Sequence, residues 1–464
     1  MPNSAADLAV VGAGPAGLAA AVTAADLGLS VVLLDAGRHP GGQFYRSPAP
    51  ELGAERPEAL HHDWRAFASR EERLRGSGRI DHRPQTQVWT VLPNGPGWTL
   101  HARGDDAAPT VVHARTVLLA TGAYERQLPF PGWTLPGVVG AGGAQAMLKS
   151  GLVLPGRRVV VAGSGPLLLA VAATLAAAGA RVPAVVEAGA YGAYARSAGA
   201  LLRNPAKLVE GARYGAALAR HQVRPLTRHA VVEAHGTDRV EAVTIARLDR
   251  DWRPVAGTAR RIPCDAVAVG HGLVPELSLA TGLGCATRTA ADGTVALALA
   301  RDQRTSVPGI WAAGETGGIG GAQLALTEGE LAAHSIAMSL GKAVPGATTA
   351  RHRRTRDRLR AFADAMGAAH RPGPGWTAWL RQDTDVCRCE EVTAHHIREA
   401  VDELGARDPR TVKLLTRAGM GWCQGRICGP GVAALCGTGA TPDRRPLACP
   451  VPLRQLAELP SENA

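Results

Sequence analysis

The chain has 464 residues, of which 46% are hydrophobic, and it carries a formal net charge of +11. This length is enough for two to four domains with sizeable cores. The charge does not indicate nucleic-acid binding, because the basic residues are scattered except from Arg351 to Arg358, where no stacking aromatic residues are interleaved. We interpret that run as the solvated face of a helix, or as a docking surface for a partner subunit.

The sequence shows no membrane or export signal. The apolar stretches are alanine-rich and interrupted, and they fall short of the roughly 18 residues of a membrane-spanning helix. No basic segment precedes the first apolar run at Leu8, so a secretory signal is not expected. The sequence therefore predicts a cytoplasmic protein without a transmembrane segment.

The stretch from Asp7 to Asp35 has the pattern of a nucleotide-binding β-α-β unit. An apolar run is followed by Gly12-Ala13-Gly14-Pro15-Ala16-Gly17, an alanine-rich helical pattern, and a second apolar run that ends at Asp35. The first glycine makes the turn, the second lets the backbone approach a pyrophosphate, and the third lets the helix pack on the strand. The phosphate would lie at the helix N-terminus, and Asp35 would accept hydrogen bonds from a ribose.

Three later segments extend this predicted site. A glycine-rich loop with Gly42 and Gln43 can pass under a ring system, although an ordinary surface turn has the same composition. A predicted strand from Thr110 ends in the turn Ala120-Thr121-Gly122. A short buried strand ends in Gly314-Glu315, before a predicted helix from Ala322 to about Leu340. An acid there suits a hydroxylated chain beside a flavin ring.

The segment from Arg157 to Glu187 repeats this plan. Gly163 and Gly165 take the places of the first two glycines, and Glu187 takes the place of Asp35. The third glycine position is Leu168, whose side chain should push the helix from the strand and alter the phosphate turn. Whether this unit binds a nucleotide or keeps only the fold stays open. An acid at this place would favour NAD over NADP, because it repels a 2′-phosphate.

Weaker patterns predict the remaining elements. We expect a helix over residues 55–75 and a small sheet formed by strands at 85–92, 98–103 and 110–119. Further strands are predicted at 230–234, 240–248 and 266–269, and we interpret the following His271 as a turn residue rather than a catalytic base. Residues 341–349 have the composition of a linker, 352–369 that of a helix, and 372–375 that of a second hinge.

Four of the eight cysteines are packed into a short C-terminal segment. They form the pairs Cys387-x-Cys389 and Cys423-x-x-x-x-Cys428, and four thiolates in two close pairs can hold zinc or an iron–sulfur cluster. Structural zinc usually takes pairs separated by two to four residues, whereas a single intervening residue reaches a cluster edge more easily. We favour a [2Fe–2S] cluster. The other four are interpreted as buried small hydrophobic residues: Cys264, Cys285, Cys436 and Cys449.

Together these motifs resemble two known modules. Residues 5–345 resemble the flavoprotein reductases with two dinucleotide domains, and residues 383–440 resemble the bacterioferritin-associated ferredoxin-like [2Fe–2S] module. The resemblance implies an α/β fold, two Rossmann-like domains of the flavoprotein disulfide-reductase type, and FAD at the first site. That family commonly has Asp where this chain has Glu315, which can place the ribityl chain differently. No cysteine pair precedes Cys387, which argues against disulfide reduction.

The combination, with segments 120–143 and 386–392, is similar to one component of the heteromeric amine dehydrogenases. That group includes the opine oxidase A subunit, the hydrogen cyanide synthase B subunit, and the α subunit of proline or hydroxyproline dehydrogenases. It implies a β subunit, D-amino-acid-oxidase- or sarcosine-oxidase-like, that oxidises the C–N bond at its own flavin and passes electrons to the subunit like this one. The resemblance allows FMN at the subunit contact, a downstream electron acceptor and a small third subunit.

Two alternatives stay open at this stage. One is a self-sufficient NAD(P)H-dependent reductase, with NAD(P) or ATP as the ligand of the second unit. The other is a scaffold or redox sensor without enzymatic activity. The predicted domains are an FAD-binding domain (1–125 and 290–345), a second nucleotide-binding-like domain (126–289), a linker with a helix (346–382), a [2Fe–2S] domain (383–445) and a tail (446–464).

Overall fold

The computed structural model describes residues 5–61, 63–105, 109–439 and 445–457. Residues 440–444 and 458–464, which belong to the predicted cluster domain and tail, lie outside the described residues, as do residues 1–4, 62 and 106–108. Within the described part of the chain, no helix has both the length and the apolar character needed to cross a bilayer.

The chain combines short stretches of alternating strands and helices with two longer runs of consecutive strands. The first part contains β1 (Ala6–Val11), α1 (Pro15–Asp26), β2 (Val31–Leu34), α2 (Trp64–Gly76), β3 (Ile80–Arg83), β4 (Gln87–Asn94), β5 (Gly97–Arg103), β6 (Pro109–Leu119) and β7 (Ala123–Glu125). The middle contains β8 (Val138–Gly140), α3 (Ala141–Gly151), β9 (Val159–Gly163), α4 (Leu167–Ala177), β10 (Val185–Glu187), α5 (Ala198–Leu202), α6 (Pro205–Arg220), β11 (Pro225–Thr227), β12 (His229–His235), β13 (Ala242–Arg247), β14 (Arg260–Pro263), β15 (Ala266–Gly270) and β16 (Leu273–Pro275).

The last part returns to the first sheet and then adds a small helical module. It contains α7 (Ser278–Gly282), β17 (Thr287–Thr289), β18 (Val295–Leu297), β19 (Ile310–Ala312), α8 (Ala322–Ser339), α9 (Gly346–Ala369), β20 (Asp385–Cys387), β21 (Val392–Thr393), α10 (Ala394–Asp402), α11 (Pro409–Thr416), α12 (Gly429–Leu435) and α13 (Leu453–Ala457).

The first sheet has seven strands in the order β3-β2-β1-β6-β5-β4, with β19 also paired to β6. The long strand β6 joins two parts, because its first half pairs antiparallel with β5 and its second half pairs parallel with β1 and β19. The prediction that the strands at 85–119 form a separate small sheet is therefore wrong. The individual strands were predicted correctly, but their sheet membership depends on pairing with β1, which is distant in sequence.

Helices α1 and α8 pack closely over this sheet. Helix α1 is buried on almost every side, because its alanine side chains are small enough to fit between the sheet and α8. Gly329 of α8 lies against the backbone of α1, and a Cβ atom at this position would stand 2.1 Å from the carbonyl oxygen of Ala16. The missing side chain thus sets the distance between the two helices.

A second sheet carries the repeated unit. Its five strands are all parallel, in the order β11-β10-β9-β15-β8, and its core includes Val159, Val161 and Leu168. A three-stranded antiparallel sheet of β12, β13 and β14 packs beside it. The strands predicted at 230–234, 240–248 and 266–269 correspond to β12, β13 and β15. The fold class of two Rossmann-like units therefore follows from the sheet order.

Helix α9 differs from its prediction in extent and in environment. It starts at Gly346, so the predicted linker at 341–349 is partly helical, and it packs along α8. The prediction of a fully solvated arginine face is wrong for Arg356, whose side chain is only 17% exposed. Arg356 and Arg360 both bind the buried carboxylate of Glu328, with Nε to Oε1 at 3.3 Å and Nη2 to Oε1 at 2.8 Å.

Two further predictions need correction. The helix expected over 55–75 is α2, which begins only at Trp64 and follows a short 3-10 turn at Pro57–Leu60. His271 follows β15 but is buried, with its ring 6.1 Å from that of Trp252 and 5.8 Å from that of Trp379. Burial lowers the pKa of His271 to about 4, so the ring is neutral and part of the core.

The C-terminal module shares a hydrophobic core with the middle of the chain. Its residues Val386, Ile397 and Val412 belong to the same buried cluster as Leu248 and Trp252. Two tryptophans tie the regions together: Trp133 Nε1 donates to the carbonyl of Asp385 at 2.7 Å, and Trp379 Nε1 donates to that of Trp252 at 2.9 Å. The module is therefore packed on the body rather than tethered to it.

The contact between α1 and α8 gives a direct test. We expect Gly329→Ala to lower the free energy of unfolding by about 1–3 kcal/mol, because the added methyl group would overlap the Ala16 carbonyl. Gly211→Ala in α6 is the matched control, since a Cβ there meets nothing within 4 Å, and it should stabilise by about 0.5–1 kcal/mol. Thermal and urea unfolding of both variants measure the difference. Equal effects would contradict the close-packing interpretation.

Candidate functional site

The turn after β1 has the geometry required to hold a pyrophosphate. Gly12 has φ +103°, and a Cβ on it would lie 2.4 Å from the carbonyl oxygen of Ala120. A Cβ on Gly17 would lie 1.8 Å from the carbonyl oxygen of Gly12, so helix α1 rests directly on the turn. By contrast, a Cβ on Gly14 would meet nothing within 4 Å. The N-terminus of α1, with Pro15 at its first position, therefore faces open space suited to an anion.

The loop with Gly42 and Gln43 packs against this turn. The N–H of Gly41 donates to the carbonyl of Ala13 at 2.7 Å, and a Cβ on Gly42 would lie 2.8 Å from the Cα of Gly14. The side chain of Gln43 is exposed, and its Oε1 accepts a hydrogen bond from Arg46 Nε at 2.8 Å. The structure thus brings Gly42 to the phosphate turn and leaves Gln43 at the edge of the loop.

Asp35 also lies at the turn, where its carboxylate accepts hydrogen bonds from the N–H groups of Ala13 and Gly37. Burial raises the pKa of Asp35, and the two N–H donors oppose that rise. A cavity of about 300 Å³ adjoins this position, lined by Ala36, Gln85, Gln87, Arg103, Gly104 and Asp105. The carboxylate thus stabilises the turn, and the cavity beside it offers space for the adenosine end of a dinucleotide.

The remaining predicted flavin residues meet at the carboxyl ends of β6 and β19. Gly314 follows β19, and a Cβ there would lie 3.0 Å from the Cβ of Ala16 at the start of α1. The carboxylate of Glu315 accepts the N–H groups of Gly320 and Gly321 at 2.6 and 2.9 Å, and burial raises its pKa. Because the side chain of Glu is longer than that of Asp, the carboxylate of Glu315 reaches the loop that precedes α8.

Thr121 and Gly122 follow β6, and both form hydrogen bonds with the backbone of Glu276. Thr121 Oγ1 donates to the carbonyl of Glu276 at 2.7 Å, and the N–H of Glu276 donates to the carbonyl of Gly122 at 3.0 Å. This contact follows from the antiparallel pairing of β7 with β16. The carboxyl edge of the parallel strands is where ligands bind in such sheets, so all predicted residues of the first site lie on one edge.

The repeated unit keeps the turn but fills the place where a ribose would bind. A Cβ on Gly163 would lie 1.7 Å from the carbonyl oxygen of Gly270, so the turn packs tightly on β15. The carboxylate of Glu187 accepts the N–H groups of Gly165 at 3.0 Å and Gly189 at 2.7 Å. Leu168 is 1% exposed and lies in the core, where it joins α4 to the sheet.

His370, which follows α9, completes a buried polar network with this unit. Its Nδ1 lies 3.5 Å from Glu187 Oε1 and 3.2 Å from Ser164 Oγ, and its Nε2 lies 2.6 Å from the hydroxyl of Tyr194. Burial opposes ionisation of Glu187, but the hydrogen bonds from His370 and the two glycines hold its pKa below the ordinary value. Both oxygens of the Glu187 carboxylate are thus already engaged.

The four clustered cysteines form two pairs in the C-terminal module. The sulfurs of Cys389 and Cys423 are 3.7 Å apart, and the thiol of Cys428 hydrogen-bonds to Cys387. Two thiolates on one tetrahedral metal ion with bonds of about 2.3 Å would be about 3.8 Å apart. Among the described residues, no three His, Cys, Asp or Glu side chains converge on one point.

In the pair formed by Cys387 and Cys428, Cys387 is the thiol that ionises more readily, because the pKa of Cys428 is raised by its hydrogen bond to Cys387 and by burial. The hydrogen bond from Cys428, together with backbone N–H groups of Gly419, Glu390 and Cys389, lowers the pKa of Cys387 to about 5. N–H donors aimed at sulfur are the means by which proteins tune iron–sulfur clusters. The donor set fits a diiron centre held by four thiolates. Three of the remaining cysteines are buried as predicted: Cys264, Cys285 and Cys449. The fourth, Cys436, is only half-buried.

Sequence reasoning missed several residues of these sites. Arg426 lies between the second pair of cysteines and binds Glu276, while His370 closes the second unit from a distant helix. The position of Arg426 inside the Cys423–Cys428 loop was the available signal. Nothing in the local pattern around Glu276 or His370 identifies their partners.

Comparison with known families supports both modules. Residues 6–329 match the family described as pyridine nucleotide-disulphide oxidoreductase, and residues 386–436 match the BFD-like [2Fe-2S] binding domain. Among solved structures, L-proline dehydrogenase from P. horikoshii superposes with a TM-score of 0.68 at 20% identity, over 98% of this chain and 80% of that one. Thioredoxin reductase of T. acidophilum gives 0.54 at 22% identity, over 73% and 99%. The predicted fold class is confirmed.

Two relatives match over almost the whole chain. Hydrogen cyanide synthase subunit HcnB of Pseudomonas protegens is 35% identical over 430 residues, which cover 90% of this chain and 89% of the relative. The opine oxidase A subunit of Rhizobium meliloti is 35% identical over 438 residues, which cover 92% of each. The chain therefore belongs to the pyridine nucleotide-disulphide oxidoreductase family, and within it to the group of oxidoreductase subunits that contains HcnB and the opine oxidase A subunit.

Proposed function

We propose that the chain is the electron-transferring subunit of a heteromeric dehydrogenase or oxidase that acts on the C–N bond of an amino acid or opine. The observation that carries this proposal is that two pairs of thiols lie in a module whose cysteine loop is bonded to the edge of the dinucleotide site. When bound, FAD exchanges two electrons and a [2Fe–2S] cluster exchanges one, so together they convert two-electron amine oxidation into single-electron delivery.

The residues of the chain would hold and separate the two cofactors. The turn from Gly12 to Gly17 would bind the pyrophosphate of FAD, with Asp35 and its adjoining cavity at the adenosine end. Ala120, Thr121, Gly122, Gly314 and Glu315 would border the flavin end. The cluster would be held by Cys387, Cys389, Cys423 and Cys428.

The partner and substrate follow from the relatives rather than from the site. Their names point to opines and to hydrogen cyanide formation, and the substrate would be of the proline, hydroxyproline, opine or glycine class. Oxidation would take place in an amine-oxidising flavoprotein β subunit. Also compatible with this arrangement are FMN at the subunit contact and a small third subunit.

We infer that the second nucleotide unit does not take part in nicotinamide oxidation. Glu187 and Asp35 each accept two backbone N–H groups, but Glu187 also binds His370 and would have to release it before it could bind a ribose. Leu168 replaces the glycine that normally lets the helix pack closely on the strand, and its side chain is buried between α4 and the sheet. This weighs against the alternative of a self-sufficient NAD(P)H-dependent reductase.

The central test uses the complex purified from cells that make it. An amino acid or opine that is oxidised should bleach the flavin of the partner and then reduce ferricyanide through this chain. Cys387→Ser should leave bleaching of the partner's flavin intact and reduce ferricyanide turnover by at least about tenfold, because the cluster loses a ligand. Stopped-flow absorbance and steady-state turnover measure the two steps.

Metal analysis of the same samples separates the proposal from its rivals. The wild-type complex should contain about two irons and two acid-labile sulfides per chain, and Cys264→Ser is the control that should keep them. Zinc without iron, or full turnover in Cys387→Ser, would refute the electron-relay role. A complex that binds both cofactors but oxidises no amine would favour a scaffold or sensor.

If the second nucleotide unit does not bind a nicotinamide cofactor, NADH and NADPH should not reduce the flavin, and dithionite serves as the positive control. Under anaerobic conditions NADH and NADPH should leave the flavin of the purified chain oxidised, whereas dithionite should bleach it fully. The physical reason is that His370, which has no counterpart beside Asp35 among the contacts described above, occupies the Glu187 carboxylate at the ribose position. Rapid bleaching by NADH, measured by flavin absorbance, would instead support the reductase alternative.

The network around Glu187 predicts a pH-dependent stability. Because its folded pKa is lowered, Glu187 contributes stability that is present above its unfolded pKa of about 4.5 and is lost as pH falls through the folded value. We expect Glu187→Gln to lower the melting temperature at pH 7, with the difference from wild type shrinking below pH 4.5. Exposed Glu403→Gln is the control, and thermal unfolding against pH is the measurement. A constant difference would argue against an ionised Glu187.

A further inference from the structure

Arg426 connects the cysteine loop with two other parts of the chain. Its Nε donates to Glu276 Oε2 at 2.6 Å, and its Nη2 donates to Ser278 Oγ at 3.0 Å and to the carbonyl of Ala448 at 2.7 Å. Its backbone N–H also donates to the carbonyl of Cys423 at 3.1 Å. One side chain therefore fixes the loop between two predicted cluster ligands to the body and to the C-terminal segment.

Glu276 provides the connection on the flavin side. Its backbone accepts from Thr121 Oγ1 and donates to the carbonyl of Gly122, which are predicted flavin residues. Its side-chain Oε1 accepts the N–H of Ser278 at 3.0 Å, which holds the carboxylate in place for Arg426. Glu276 thus bonds the flavin-side turn through its backbone and the loop that carries Cys423 through its side chain.

The ion pair between Glu276 and Arg426 is partly shielded from water, and this shielding strengthens the attraction between the two charges. The two side chains are 25% and 23% exposed, so the interaction is less screened than a surface salt bridge.

Tyr124, two residues after Gly122, lies in the same region. Burial and the nearby Glu276 carboxylate raise the pKa of Tyr124 to about 12, and Cys423 adds to that rise. Tyr124 is therefore a neutral phenol near the Glu276 carboxylate.

We propose that Glu276 and Arg426 are positioning residues that hold the cluster at a fixed distance from the flavin and that Arg426 raises the reduction potential of the cluster. This inference rests on the proposed function. With both cofactors bound, the step concerned would transfer one electron from the reduced flavin to the cluster, where one iron would go from ferric to ferrous. The guanidinium favours that reduced, more negative cluster, because an opposite charge nearby stabilises added negative charge.

The test compares three variants of the holo-protein by potential and by rate. Arg426→Gln should lower the cluster potential, because a positive charge is removed, and Glu276→Gln should raise it, because the guanidinium is no longer neutralised. Both should slow cluster reduction after photoreduction of the flavin by about tenfold or more, because alignment is lost. Arg426→Lys should recover the potential but not the full rate. EPR-monitored redox titration and transient absorbance are the measurements.

Arg417→Gln is the matched control. Arg417 also binds an acid next to a predicted cluster ligand, Glu390, with Nε to Oε2 at 2.9 Å, but its side chain is 69% exposed and its ion pair stays within the module among the residues that the structure describes. Its loss should leave the rate of flavin-to-cluster transfer within about twofold of wild type. If the wild type transfers electrons, and Arg426→Gln and Glu276→Gln keep both its transfer rate and its cluster potential, this inference alone is overturned. Absence of transfer or of iron in wild type would overturn the proposed function as well.

Discussion

Direct contact between backbone and backbone at the first turn is the constraint on which the rest of the molecule depends. Gly17 rests on Gly12, Gly12 rests on the end of β6, and Gly329 of α8 rests on Ala16. Because α8 is held this close, the carboxylate of Glu328 reaches the N–H of Gly314 at 3.1 Å and also binds two arginines of α9. The packing of α1 thus determines where α9 runs, and α9 leads to His370 and the C-terminal module.

The second nucleotide unit shows how a fold can be kept while its ligand surface is used for another purpose. Glu187 occupies the place of Asp35, and each carboxylate accepts two backbone N–H groups at its own turn. The difference is His370, which adds a third partner and brings the end of α9 into the unit. The surface that we propose binds a nucleotide in one half therefore anchors a helix of the same chain in the other half.

Features that depend on neighbouring residues could be predicted from the sequence, whereas features that depend on distant partners could not. The first β-α-β unit and the paired cysteines are local patterns, and the strands at 87–103 were located correctly. Their membership of the large sheet was missed because register is set by β6. Arg426 and Glu276 are 150 positions apart, and His370 and Ser164 are 206 positions apart. The arginine run of α9 likewise did not reveal that Arg356 turns inward, because its partner, Glu328, is on another helix.

The distance between two redox centres in one chain has to be fixed by something stiffer than a linker. The segment between α9 and β20 contains only a short 3-10 helix, Pro374–Trp379, which the tryptophans pin to the body. Arg426 adds a second, separate attachment of the module, and the N–H of Ala448, whose carbonyl Arg426 binds, donates to the carbonyl of Trp89 in β4 at 2.9 Å. With both sides attached, tilting the module would break either an apolar contact or a partly shielded ion pair. The placement of the cysteines is therefore a property of the whole chain, although their spacing is a property of the module.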